Sequence, residues 1–159
     1  MIYLVDQSGK IEQTNKDTVI GAANGKNYAL KLPAKTKRQL QKRCRESLQG
    51  KLFVYRTFAA LVFLIIKENI KAMTDLVIDI EYPGKEKVIR EVVLELLRKE
   101  SLPEPNLSFG RIGNNPKAHF AAYDVFIGRK KADKIITLAG IEKLVIKRKR
   151  PRPKRLKST

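Results

Sequence analysis

Cysteine is almost absent from this chain. Cys44 stands alone among 159 residues, so an internal disulfide is excluded, and a reducing, cytoplasmic setting is expected. Histidine is as scarce. His119 is the single one, which excludes a histidine-rich metal site. With no Gly-x-Ser-x-Gly elbow either, no pattern for a serine hydrolase is left. No Walker phosphate loop occurs, and no internal repeat is visible. Long apolar runs are missing too. The longest, Phe58 to Ile66, spans nine residues and is bounded by Arg56 and Lys67, about half of the ~20 residues that cross a bilayer. It reads as a buried core helix, and no membrane segment is expected. Asp6 interrupts the opening apolar run and no charged segment precedes it, so a secretory signal is not expected.

Acidic residues are outnumbered. Lys and Arg total 34 against 16 Asp and Glu, for a formal charge of +18. Residues 147–157 hold eight of the cations and no acid, yet removing them leaves 26 basic residues against 16 acidic ones. The body of the chain is therefore basic as well as its end, which points to a polyanionic partner, nucleic acid before membrane. The apolar fraction of 43% fits a globular chain with one core. The expected organisation is one domain over residues 1–146, then a basic tail over 147–159. That tail has two prolines and dense like charge, and should be disordered when free.

Residues 1–7 read as a strand. Ser8-Gly9-Lys10 makes a turn, Ile11 to Thr14 a short further strand, and Thr18 to Ala22 another. Asn24-Gly25 is a strong tight-turn signal, and Asn27 to Leu32 resumes a strand that Pro33 ends. An antiparallel meander is expected here. Ala34 to Leu48 reads as a helix with Leu40, Cys44 and Leu48 in one narrow apolar stripe. It carries Lys35, Lys37, Arg38, Lys42, Arg43 and Arg45 against Glu46 alone, as a solvated face or as a face along a phosphate backbone. Leu52 to Asn69 forms a helix apolar nearly all round. A strand at 75–82, an amphipathic helix over Lys85–Glu100 and a strand over Asn106–Ile112 follow. Asn115 then caps a helix that has Pro116 at its first position and runs to about Lys131. Lys134 to Leu138 reads as a short strand. Ile141 to Ile146 reads as an apolar edge strand, which a second copy of the chain would cover.

The apolar elements carry misplaced acids. Ile2, Leu4 and Asp6 share one face of the first strand, because side chains alternate with period two. Asp79 and Glu81 lie on one face where Leu76 to Glu81 ends at Tyr82-Pro83-Gly84. Asp124 sits in an otherwise apolar helix. Each has an ordinary explanation taken singly: Asp6 caps the Ser8-Gly9 turn, Glu81 pairs with Lys85 or Lys87, and Asp124 pairs with Arg129. Taken together, acids converging from separated apolar elements repel one another and are expensive to desolvate. A bound divalent cation makes such a cluster tolerable.

The order strand, strand, strand, helix, strand, helix, strand, helix, with acids at these places, resembles the RNase H-like (retroviral integrase) superfamily. The segments Asp79-Ile-Glu81-Tyr-Pro-Gly84, Ser108-Phe-Gly-Arg-Ile-Gly113 and Lys117-Ala-His-Phe-Ala-Ala-Tyr-Asp124 are most similar to its RuvC-type branch. The chain also resembles small self-standing single-strand exonucleases of archaea built on this fold. The resemblance covers about residues 1–132. It implies an α/β protein with a mixed five-stranded sheet, antiparallel meander first, and helices on both faces. It further implies Mg²⁺- or Mn²⁺-dependent hydrolysis of phosphodiesters, with Asp6, Glu81 and Asp124 as catalytic metal ligands. Asp79 and His119 are additional candidates, and Lys35, Arg38, Lys42, Arg111 and Lys117 are candidates for binding nucleic acid. The RuvC-type pattern often has two acids one turn apart in the last helix, whereas Ala121 and Ile127 flank Asp124 at that spacing. Asp79 is the alternative fourth ligand.

Three functions remain open on these grounds: a 3′–5′ exonuclease on single-stranded DNA, a RuvC-like Holliday-junction resolvase, and a non-catalytic basic nucleic-acid-binding protein. All share one consequence of the charge. Affinity for nucleic acid should fall with salt, by a log–log slope of about 0.7 per neutralised phosphate on single strands and about 0.9 on duplex. Deletion of residues 147–159 should lower the slope. A flat response between low and moderate salt in a filter-binding titration would rule the polyanion reading out.

Overall fold

The computed structural model describes residues 2–112 and 115–147. The chain runs β1 (Ile2–Ser8), β2 (Thr18–Asn24), β3 (Lys26–Leu32), α1 (Ala34–Glu46), α2 (Phe53–Glu68), β4 (Asp75–Asp79), α3 (Glu86–Lys99), β5 (Asn106–Gly110), α4 (Pro116–Phe126), β6 (Lys134–Ile135) and α5 (Leu138–Val145). The architecture is α/β. One mixed sheet has the order β5-β4-β1-β2-β3-β6. The meander β1–β3 is antiparallel, with Gly25 at φ +70° turning β2 into β3, a backbone region that suits glycine. β4 pairs parallel with β1 and β5 parallel with β4. Parallel neighbours need long crossovers, which α1–α2 and α3 supply.

The sheet has six strands among the described residues, not the expected five. The extra strand is β6, two residues pairing parallel with β3 at Leu30–Lys134 and Lys31–Ile135. Ile11 to Thr14 is not a strand but a pair of turns, held by Gln13 N–H to Lys10 O and Lys16 N–H to Gln13 O. The expected edge strand at Ile141–Ile146 is also corrected. Those residues belong to α5, whose start is capped by Thr137 Oγ1 accepting from Gly140 N–H. Ile141, Leu144 and Val145 are buried. Their i, i+3, i+4 spacing is one helical stripe, although β-branched residues make the segment read as extended. The buried Arg56 of α2 donates to the carbonyls of Val145 and Leu144 at 2.6 and 3.3 Å, meeting the unpaired carbonyls of a helix end. The apolar edge offered to a second copy is thereby used internally. The tail from 148 onward and the Gly113-Asn114 half of the turn lie outside the described residues.

The large core lies on one sheet face. Val5, Ile20, Leu30 and Leu32 meet α2, which is buried from Arg56 to Ile66, and α3 and α5 close the layer. Among the described residues, the opposite face carries only α4, over a small cluster of Val19, Ala29, Ala122 and Val125. Helices therefore cover both faces. No helix of the described residues is long and apolar enough to cross a membrane.

Gly21 seats α4. It pairs with Asp6 across β1 and β2. A Cβ there would lie 2.6 Å from the backbone nitrogen of Ala122 and 2.7 Å from the carbonyl carbon of Ala121. Both obstacles are backbone, so the helix would have to lift. Gly21→Ala should cost about 1–3 kcal/mol as an overpacking substitution, read as a lowered urea midpoint at unchanged slope. An unchanged midpoint would mean that α4 does not rest on this strand.

Candidate metal centre

Strand register builds the site. Val5 of β1 stands beside Ile78 of β4, and both face the large core. The next residue on each strand, Asp6 and Asp79, must point to the other face, side by side at the carboxyl ends of adjacent parallel strands. Glu81 is two residues beyond Asp79 and returns to the same side. Each of the three acids offers an oxygen within 4.8 Å of the others'. Asp6 is only 5% exposed; Asp79 and Glu81 are half-buried.

Two of the carboxylates are held by backbone donors. Gln7 N–H donates to Asp6 Oδ1 at 2.8 Å, and Ile112 N–H donates to Asp79 Oδ1 at 2.8 Å. His119, on the first turns of α4, brings Nδ1 to 3.7 Å from Asp6 Oδ2. Its ring stacks on Tyr123 at 5.0 Å between centroids. Among the described residues, no Lys or Arg lies within ion-pair distance of Asp6, Asp79 or Glu81.

The electrostatic result is a frustrated cluster. Burial raises the carboxyl pKa of Asp6, and the neighbouring Asp79 adds to the rise; the Gln7 amide, Glu81 and His119 offset part of it. Burial, then the charges of Asp6 and Asp79, push Glu81 up to about 8. Near neutral pH Glu81 therefore holds a proton unless a cation replaces it. Three hard oxygen donors with no nitrogen or sulfur among them suit Mg²⁺ or Mn²⁺. The residues fit that ion.

The remaining candidates stand elsewhere. Asp124 is not part of the close group. It lines a cavity with Ile2, Leu4 and Phe120, and its Oδ1 is 3.8 Å from Arg129, the ordinary pairing open to it from sequence. Five residues separate it from His119, so the two cannot share a helix face. Lys35, Arg38, Lys42, Arg111 and Lys117 are all exposed, with Arg38 donating to Thr14 O. Lys37 departs from the basic face assumed for α1. It is fully buried, and its Nζ donates to Lys10 O, Gln13 O and Thr18 Oγ1 at 3.1, 2.8 and 2.9 Å. Burial lowers its pKa to about 8. Lys37 thus ties the loop after β1 to α1.

Tyr82 is a residue whose part sequence reasoning missed. Its hydroxyl accepts from Gln7 Nε2 and Ile11 N–H, both at 3.2 Å, and donates to Glu12 Oε2 at 3.3 Å. Its ring meets Tyr55 and Phe58 edge-on. It locks the segment after Glu81 to β1 and to the following loop. The available signal was an aromatic residue set directly between Glu81 and Pro83-Gly84. Comparison of the chain with protein-family models, with curated proteins and with solved structures finds no match.

The raised Glu81 pKa has a stability consequence with a definite sign. The folded state keeps this proton up to about 8, whereas an unfolded glutamate loses it near its ordinary value of about 4.3. The contribution is therefore full below the unfolded value and is lost as pH rises through about 8. In chelator, the melting temperature of the parent protein should fall relative to Glu81→Gln across that window, and millimolar Mg²⁺ should reverse the fall. Parallel pH profiles for the two proteins would contradict the clustering of charge.

Proposed function

We propose that this protein is a divalent-cation-dependent nuclease of RNase H-like architecture, acting on single-stranded DNA from its 3′ end. The observation that carries the reading is the convergence of Asp6, Asp79 and Glu81 from the ends of two adjacent parallel strands. No described Lys or Arg neutralises them, in a chain whose formal charge is +18. A basic protein that keeps its most repulsive acids free of Lys and Arg leaves them for a metal ion. The mixed sheet that opens with an antiparallel meander, with helices on both faces, supports this reading, although it has six strands where the resemblance implies five.

Asp6, Asp79 and Glu81 would hold the ion. When bound, a divalent cation activates water and stabilises the charge that develops on the leaving oxygen. The chain's own groups do the rest. The Gln7 and Ile112 amides fix the Asp6 and Asp79 carboxylates, so these need no reorientation. His119, beside Asp6 and half-exposed, can hold or release a proton at Nδ1 on the substrate side of the cluster. Arg111 and Lys117, exposed on either side of the α4 entry, can take phosphates flanking the scissile one. Lys35 and Lys42 are exposed on α1, in the layer on the other sheet face, and would meet phosphates farther along the strand. A single strand is favoured over a Holliday junction because an exposed basic helix face can track one backbone.

The test is purified protein with Mg²⁺ or Mn²⁺ on end-labelled single-stranded, duplex and four-way DNA. The parent should shorten the single strand stepwise from its 3′ end and fail in chelator. Asp6→Asn should lose at least about 100-fold in rate while retaining DNA affinity. Undiminished cleavage by Asp6→Asn would remove this site from the reaction. No cleavage by the parent with either metal would leave a nucleic-acid-binding protein.

A further inference from the structure

A cavity outside the acidic cluster opens along the amino-terminal half of β1, between the β2–β3 hairpin and α4. Its volume is about 550 Å³, within the roughly 300–1,000 Å³ of small-ligand sites. Ile2, Leu4 and Phe120 make its apolar walls. Two of these are exposed without structural need: Ile2 at 60% and Phe120 at 43%. Asn24 lines the same cavity, and its side-chain amide nitrogen is buried with no hydrogen-bond partner among the described residues. Asp124 and Lys117 complete the polar part of the wall.

Three observations place the cavity beside the acids. A second hollow of about 390 Å³ shares Leu4, Asn115 and Pro116 with it and reaches Arg111 and Ile112; the Ile112 amide is the one that donates to Asp79. On α4, the Phe120 ring lies 5.3 Å between centroids from the ring of His119, which faces Asp6. Along β1, Leu4 precedes Asp6 by two residues on the same strand face, about 7 Å at the rise of an extended chain.

We propose that this cavity is a nucleobase subsite, holding an unpaired base of the substrate strand against Phe120 while the neighbouring phosphate lies at the acids. The subsite rests on the nuclease reading for the placement of that phosphate. An exposed aromatic ring accepts the face of any base, so stacking here is tolerant of sequence. The Asp124 carboxylate accepts from an exocyclic amino group on the base edge. Lys117 meets a phosphate of the same strand. Asp124 thereby has a role toward substrate although it stands apart from the acidic cluster. Such a pocket admits a base only when it is unpaired and unstacked, which selects single-stranded over duplex substrate.

The experiment measures binding and not cleavage. Full-length protein in chelator is titrated, by fluorescence anisotropy, against a labelled deoxycytidine oligonucleotide and against an abasic strand of equal length and charge. The parent should bind the base-bearing strand more tightly. Phe120→Ala should lose roughly 5- to 100-fold toward that strand and nothing toward the abasic one, and Phe120→Trp should restore the difference. Equal affinity of the parent for both strands, or an equal loss on both in Phe120→Ala, overturns the subsite. Because no bond breaks in this assay, base-dependent binding in a protein that cleaves nothing upholds the subsite and removes the nuclease reading. Cleavage without base-dependent binding does the reverse.

Discussion

Mutual repulsion among Asp6, Asp79 and Glu81 is the constraint on which the rest of this structure depends. The pairing of Val5 with Ile78 sets β1 against β4, and the pleat then leaves no choice about where the following residues point. Two acids are brought abreast on one face because their neighbours are committed to the core on the other. Slipping the register by one residue would relieve the acids only by sending Val5 and Ile78 out of the large core. Apolar burial in the α2 layer thus holds an electrostatically unfavourable cluster in place. That asymmetry, a well-packed face sustaining a strained one, is typical of where proteins keep chemistry.

The surroundings of the cluster are arranged to keep it from relaxing. Tyr82 ties the segment after Glu81 to Gln7 and to the Ile11 backbone. Buried Lys37 binds the loop after β1 through two backbone carbonyls and the start of β2 through the Thr18 hydroxyl. Gly21, directly across from Asp6, lets α4 lie against the sheet, and this close seating brings His119 to Asp6. The two sides of α4 then differ. One presents His119 and Tyr123 toward the acids, and the other presents Phe120 and Asp124 toward the apolar cavity. A small helix over a small cluster divides the face into a charged half and an apolar half, and the proposed substrate would lie across both.

Much of this was legible in the chain. Alternation in β1, the Asn24-Gly25 turn, the all-round apolar α2 and the Asn115-Pro116 helix start are local signals, and local physics decides them. The acids at 6, 79 and 81 stood out because each interrupts or ends an apolar run. Elements whose character rests on long-range packing were misread. Ile141 to Ile146 looks extended from its β-branched residues, but α2 offers it a groove and Arg56 offers its carbonyls a donor, so it is a helix. The strand at Lys134 is legible in the chain, but its pairing beside β3 as a sixth strand of the sheet is a long-range contact that no local signal specifies.

The sequence alone determined the charge, the alternation that segregates acids from core, and the order of the elements, since each follows from nearest neighbours or from composition. Only the tertiary structure decided which acids meet. Asp6 and Asp79 are 73 positions apart, and nothing in either segment specifies that β4 docks beside β1 in that register. Asp124, equally conspicuous in sequence, faces a different cavity because α4 turns about 100° per residue and its small residues, not its acid, choose the face laid on Gly21. Lys37 illustrates the same division. A basic residue among basic residues reads as surface, yet the loop after β1 supplies two oxygens and Thr18 of β2 a third, and burial follows from that encounter alone.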